Sequence, residues 1–424
     1  MELELGIVHV KEIVFGEQTC LEKGLLSIDR EALVEKILLD DHIASVQVEL
    51  ARPGESVRIV PVKDVIEPRA KMQGEGTVFP GVLDHPMSCG KGKTLVLEGV
   101  CVTTTGQMVG FQEGLIDMSG PGADLCPFSS RQQVVLVIEP QANISKSAHE
   151  KAVREAGIKA AAYLAEAVCP VKPDEIRSVR WNLLEPDYGL PRIVYIYQVL
   201  AQGLLHDNYL YGLDAKKTYP TLISPNELMD GALISGNCVT ACDKNTTFDH
   251  MNNPVVEELL ARHQKDLFFG GLILHPVSPS MDDKERNSTY AVSLAEQLGA
   301  QGVIITEEGG GNPETDLMLL CKKAEEKKIQ TVLFLHENAG EDGRSEGITY
   351  TTPKADCVVT VGNTNEIVHL PAVDKVLGQE AAVEELSGSF LGARLADGSM
   401  KVPYAVIIDS VSNLGMTRMR AEDR

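Results

Sequence analysis

The chain has 424 residues, 43% of them hydrophobic and 24% charged, a balance that supports packed cores and, at about 150 residues per domain, two or three of them. Lys and Arg number 39 against 61 Asp and Glu, and the net charge of −22 repels phosphate backbones and anionic lipid, so neither nucleic acid nor membrane is an expected partner. No run of about 18 apolar residues could span a bilayer, and the alternating start Glu2-Leu3-Glu4-Leu5 lacks the basic-then-apolar order of a signal peptide.

Nine cysteines, an odd count with no CxxC pair, point to a reducing, cytoplasmic setting rather than a disulfide framework. Cys20, Cys101, Cys169, Cys321 and Cys357 read as small buried apolar residues. Cys89, four residues after His85, and Cys126, after Gly120-Pro121-Gly122, have no partners at metal-ligand spacing, so no metal is expected.

In chain order, residues 1–125 read as a β-rich domain. Leu3, Leu5, Ile7 and His9 alternate with Glu4, Gly6 and Val8, and Val46, Val48 and Leu50 alternate with Gln47 and Glu49. Turns such as Arg52-Pro53-Gly54 and Phe79-Pro80-Gly81 interrupt, and one helix is expected over 30–39. Residues 126–237 form a second, α/β region. A buried strand at 134–138 precedes a helix opened by the capping box Ser147-Ala148-His149-Glu150, with Val153, Ala156, Ala160, Leu164 and Ala167 on its apolar face and Pro170 as its stop. A strand follows at 193–200. Residues 238–424 alternate helix and strand: helix 254–264 after Asn253-Pro254, strand 272–274, helix 283–298, strand 302–306, helix 313–328, strand 331–335 and strand 357–361. The fold class is therefore α/β, with a mainly parallel sheet in the C-terminal half covered on both faces.

The polar stretch from Ser235 to Pro254 stands apart, with Asn237-Cys238, Cys242-Asp243-Lys244 and His250 close together. It has three readings. The plain one is a polar loop with two incidental cysteines. The second makes Cys238 or Cys242 a nucleophile with His250 as base. In the third, the Cys238 thiol attacks the Asn237 carbonyl and gives a thioester. β-Elimination then leaves dehydroalanine, which hydrolyses to a pyruvoyl group, and Gly236 permits the strained turn this requires.

This stretch resembles the cleavage region of the component B proprotein of glycine, sarcosine and betaine reductases. The resemblance extends to residues 50–58 (LARPGESVR), 110–114 (GFQEG), 117–124 (DMSGPGAD), 202–207 (QGLLHD) and 226–232 (NELMDGA), and runs from about Leu3 to about Leu370. It implies self-cleavage at Asn237-Cys238, with Cys238 becoming the pyruvoyl cofactor of a 187-residue fragment behind one of 237 residues. It further implies a partner subunit of component B that carries selenocysteine, transfer to the small selenoprotein A, and reductive deamination leading to acetyl phosphate. Cys242 follows Ala241 and does not match the cleaved bond.

A pyruvoyl carbonyl can condense with the amine of glycine or sarcosine, whereas the quaternary nitrogen of betaine cannot react in this way. The Gly309-Gly310-Gly311 turn between a strand and a helix could bind the substrate carboxylate, or be only a flexible connection beside Glu307 and Glu308. His336 ends another strand and reads as structural. Asp243, Lys244 and His250 are either proton shuttles for processing or part of a solvated loop. The alternatives of another kind are a D-proline reductase-like pyruvoyl proprotein and an unprocessed scaffold that docks the selenoprotein subunit.

Overall fold

A computed structural model describes residues 2–73, 76–110, 113–169, 171–202, 207–236, 243–340, 344 and 350–415. The fold is α/β, with several small sheets and one sheet of six strands. Strand Glu2–His9 lies between Glu175–Arg180 and Gly92–Glu98, and buries Leu3, Leu5 and Ile7 as the alternation requires. A second sheet orders Ile43–Ala51, Gln132–Pro140, Val100–Gly106 and Asp64–Ile66, so a strand beyond residue 125 pairs with strands before it. The long helix Lys146–Val168 shares a core with both of these sheets.

That helix starts earlier than its sequence suggests. Ser145, not Ser147, caps it, by accepting the Ala148 N–H at 3.1 Å. Glu150 is therefore not a capping-box acid but a buried partner of Arg154 (2.9 Å) and of the Tyr209 hydroxyl (3.0 Å). The helix ends at Val168, and Pro170 lies outside the described residues. Cys357 also departs from expectation: it is exposed, because it leads into Val358–Asn363, the edge strand of the large sheet. The strands and helices expected in the C-terminal half are all present, most with ends shifted by a residue or two and the 272–274 strand much longer, as Phe268–Val277.

The six strands run in the order Thr221–Ile223, Phe268–Val277, Arg192–Leu200, Gly302–Thr306, Gln330–Glu337, Val358–Asn363, parallel throughout except for the first. Helices Met281–Gln297 and Asn312–Glu326 pack on one face with Val194, Ile196, Ile273 and Ile305. Helix Pro254–Arg262 packs on the other with Tyr195, Tyr197 and Leu272. The first parallel strand in sequence, Arg192–Leu200, sits between the second and the third. This reversal makes a crevice at its C-terminal end, where open α/β sheets bind ligands. No helix among the described residues is long and apolar enough to cross a membrane.

Candidate functional site

The polar stretch lies at that crevice. Strand Leu233–Ser235 pairs with Asn208–Leu210 and delivers Gly236, whose N–H donates to the Asp207 carbonyl at 2.6 Å. Asn237, Cys238 and Cys242 lie outside the described residues, with 239–241 between them. On the far side, the Asp243 carbonyl accepts the Gly309 N–H at 3.0 Å and the Asn245 N–H donates to Glu308 Oε1 at 3.2 Å. Residues 243–245 are thus pinned to the turn after strand Gly302–Thr306, and Gly236 to Asp207, just before strand Asn208–Leu210.

Asp243, Lys244 and His250 are not a solvated loop; all three are buried. The Lys244 ammonium, 4% exposed, donates to the Gly236 carbonyl and to the Lys63 carbonyl at 2.5 Å. Lys63 is itself held by Glu113 at 2.9 Å. Asp64 accepts both the N–H (2.9 Å) and the hydroxyl (2.6 Å) of Thr247. Burial pushes the Asp64 carboxyl up to about 6, against the pull of the Lys244 charge. The next residues form the short helix Thr247–Met251, capped where Asp249 accepts the N–H and the hydroxyl of Thr246 at 2.6 Å each.

His250 has both ring nitrogens engaged. Asn208 donates its amide N–H groups to Leu200 O (3.2 Å) and Glu308 Oε2 (2.7 Å), which fixes its Oδ1 as the acceptor facing His250 Nε2 at 2.9 Å. Nε2 therefore carries the proton, and Nδ1 accepts from the Tyr197 hydroxyl at 2.7 Å. Burial, aided by the Lys244 charge, pulls the imidazole down to about 3. It is neutral and orients Asn208 and Tyr197.

Glu308 was not singled out by the sequence, where it reads only as one of two repelling acids. Its carboxyl accepts from Leu200 N (2.6 Å), Asn208 Nδ2 and Asn245 N, and so ties the switch-point strand to the polar stretch. Burial pushes it up to about 8, against those three donors. The glycine turn has a conformational role. Gly309 and Gly311 have φ of +78° and +77°, and a Cβ on Gly310 would fall 2.5 Å from the His336 ring. That ring lies 3.6 Å from Asp243 Oδ2. The N–H groups of Gly309 and Gly311 face Asp243 O and Glu314 Oε1 respectively.

The other motifs converge on the same frame. Arg58 and Asp117, from two of the resembling segments, form a buried bidentate pair at 2.7 and 2.8 Å. Glu113, from a third, holds Lys63, and Asp207, from a fourth, holds Gly236. Among the described residues, no group of three metal-ligating side chains is assembled.

A family described as glycine/sarcosine/betaine reductase component B subunits matches residues 1–422. The glycine reductase complex component B subunits alpha and beta of Acetoanaerobium sticklandii are 46% identical over 428 residues, covering all of both chains. The sarcosine reductase complex component B subunit alpha of Peptoclostridium acidaminophilum is 48% identical, over 99% of each. The betaine reductase complex component B subunit alpha of the same organism is 36% identical, over 97% of this chain and 96% of its own. No solved structure matches.

Proposed function

The chain belongs to the glycine/sarcosine/betaine reductase component B family, and from that membership we propose that it is a precursor cleaved at Asn237-Cys238 to supply the amine-binding carbonyl of an amino-acid reductase complex. The observation that carries this reading is the pinning of residues 236 and 243–245 at the switch-point crevice. Asp207, Gly309 and Glu308 hold the backbone there, and Lys244 holds the carbonyl of Gly236, one residue before the proposed cut. Two further facts support it. The glycine reductase relative names two subunits, alpha and beta, in one chain of matching length. The match to this family over residues 1–422 favours it over the D-proline alternative.

A pyruvoyl group at residue 238 would supply a ketone that acts as an electron sink for an amine. The chain's own residues fit it. A buried ammonium at Lys244 suits developing negative charge on the neighbouring backbone, and buried carboxyls at Asp243 and Glu307 suit a cationic amine. His250, engaged at both nitrogens, positions Asn208 and Glu308 rather than moving protons. Glycine or sarcosine is the proposed substrate, in a cytoplasmic complex whose partner subunit supplies a selenol nucleophile and hands its product to the small selenoprotein. The higher identity to the glycine and sarcosine relatives than to the betaine one supports that choice.

Intact mass of the purified protein tests the proposal. Two fragments are expected, of 237 and 187 residues, the smaller lighter than its sequence by the conversion of cysteine to pyruvoyl. An intact cysteine at the start of the smaller fragment would mean hydrolysis without cofactor formation. One uncut chain would favour a docking scaffold.

A further inference from the structure

Three neighbouring strands of the large sheet end on polar side chains where their own pattern calls for apolar ones. Val194 and Ile196, Ile273, and Val303 and Ile305 face helices Met281–Gln297 and Asn312–Glu326 and share one core with them. Two residues further along each strand, on that same face, stand Gln198, His275 and Glu307. Register sets them side by side: Gln198 pairs with His275, and Glu307 directly follows the Tyr197–Thr306 pair. Neighbouring strands are about 4.8 Å apart. The three residues are 0, 0 and 1% exposed.

Among the described residues, neither amide atom of Gln198, neither carboxyl oxygen of Glu307, nor Nδ1 of His275 has a hydrogen-bond partner. His275 Nε2 lies 3.1 Å from Asp316 Oδ1 and donates there, so in the neutral ring Nδ1 is an acceptor. Four of the five orphaned atoms are therefore acceptors. Buried polar groups nearly always find partners, so such a set calls for an explanation. The neighbourhood is negative: Asp243, Glu314 and Asp316 all act on Glu307. Lys284 does not neutralise it, being held by Asp316 and by the Asn312 carbonyl at 3.0 Å.

We propose that this row binds a primary ammonium group and, resting on the functional reading above, that it holds the substrate amine beside the processing segment. Three N–H donors of R–NH3+ match acceptors offered by three strands, and the single donor, Gln198 Nε2, suits the substrate carboxylate. A secondary ammonium offers two donors and a quaternary one none, so the row ranks glycine above sarcosine and rejects betaine. Burial first, then Glu314, Asp243 and Asp316, hold the Glu307 carboxyl well above the usual range. Protons and an entering cation therefore compete for the same carboxyl oxygens.

Calorimetric titration of the full chain with methylammonium and tetramethylammonium chlorides, in buffers of different ionisation enthalpy, tests this. Methylammonium should bind with net release of protons, and tetramethylammonium should not bind. Glu307→Gln should weaken binding about tenfold or more and abolish the proton release, and Gln198→Met should weaken binding while keeping it. Thermal melts check that both variants fold, and either one suffices for the comparison. Unchanged affinity in the folded variants, equal binding of tetramethylammonium, equal competition by potassium, or no binding of methylammonium would each overturn the site. The same titration on Cys238→Ala, which cannot form the carbonyl, separates the two proposals. Binding there, with an uncut wild-type chain by mass, sinks the processing reading and leaves the ammonium site standing; a cut chain without binding does the reverse.

Discussion

Lys244 carries its charge into a buried place and spends two of its donors on backbone carbonyls, Gly236 and Lys63. Attack by the Cys238 thiol would place negative charge on the next carbonyl along, where a fixed cation is worth far more than in water. Lys244→Met keeps most of the stem and removes that charge. Its self-cleavage should slow about 10²-fold, as for loss of one preorganised donor, read as the decay of full-length chain on a gel. Cys238→Ala should stay full length and Cys242→Ala should be cut at the ordinary rate; cleavage at the ordinary rate in the Lys244 variant would leave the ammonium a purely structural role. Glu308 gives a pH signature. Its folded pKa of about 8 lies above the ordinary carboxyl value of 4.5, so its contribution to stability is complete below about 4.5 and is lost as pH rises through 8. His250 has the opposite slope: depressed from 6.5 to about 3, it favours folding above about 6.5 and loses that contribution as pH falls toward 3. The melting temperature should therefore drop between pH 6 and pH 9, and Glu308→Gln should flatten that drop, because the glutamine has no charge to desolvate.

At the scale of elements, helix and strand order in the C-terminal half was legible because apolar periodicity and caps such as Asn253-Pro254 act locally. What sequence did not disclose was burial without periodicity. Residues 243–250 look like a solvated loop because they are polar, yet each finds its partner far away in the chain: Lys244 at Lys63, Thr247 at Asp64, His250 at Tyr197 and Asn208. The same holds for Glu307 and Glu308, one orphaned and one with three donors, identical in type and adjacent in sequence. The proposed cleavage at Asn237-Cys238 rests on resemblance, and that bond lies outside the described residues. The glycine turn shows how an element-level reading can be tested by sterics alone. Gly310 has no positive φ, but its Cβ would strike the His336 ring at 2.5 Å, whereas Gly311 is at φ +77° with open space around it. Gly310→Ala should cost about 1–3 kcal/mol, as overpacking does, and push the imidazole off Asp243. Gly311→Ala should cost only about 1 kcal/mol of backbone strain. Urea midpoints of the two variants rank them, and equal costs would show that the His336 ring yields freely.

Across the whole molecule, the proposed cut at residue 237 runs through the sheet without dividing it. Strand Arg192–Leu200 belongs to the first fragment, yet both of its neighbours, Phe268–Val277 and Gly302–Thr306, belong to the second. Removing it would strip the parallel sheet of its central strand and open the cores on both faces. Strand Val57–Val62 likewise pairs with Lys375–Gly378. The Trp181 indole donates to the Phe269 carbonyl at 3.0 Å, and Arg69 reaches Asn252 Oδ1 at 2.6 Å. Three of the hydrophobic cores draw on both sides of residue 237, so if the chain is cut there, sheet formation would precede cleavage and association would outlast it. The 237- and 187-residue fragments should therefore elute as one species in native size-exclusion chromatography, even at nanomolar concentration, and part only in denaturant, with a single cooperative unfolding transition for both. Fragments that separate on simple dilution would mean that the shared sheet does not hold the cleaved protein together. The second fragment expressed as a separate chain should fail to fold alone, since it would have to build a parallel sheet around a missing first strand.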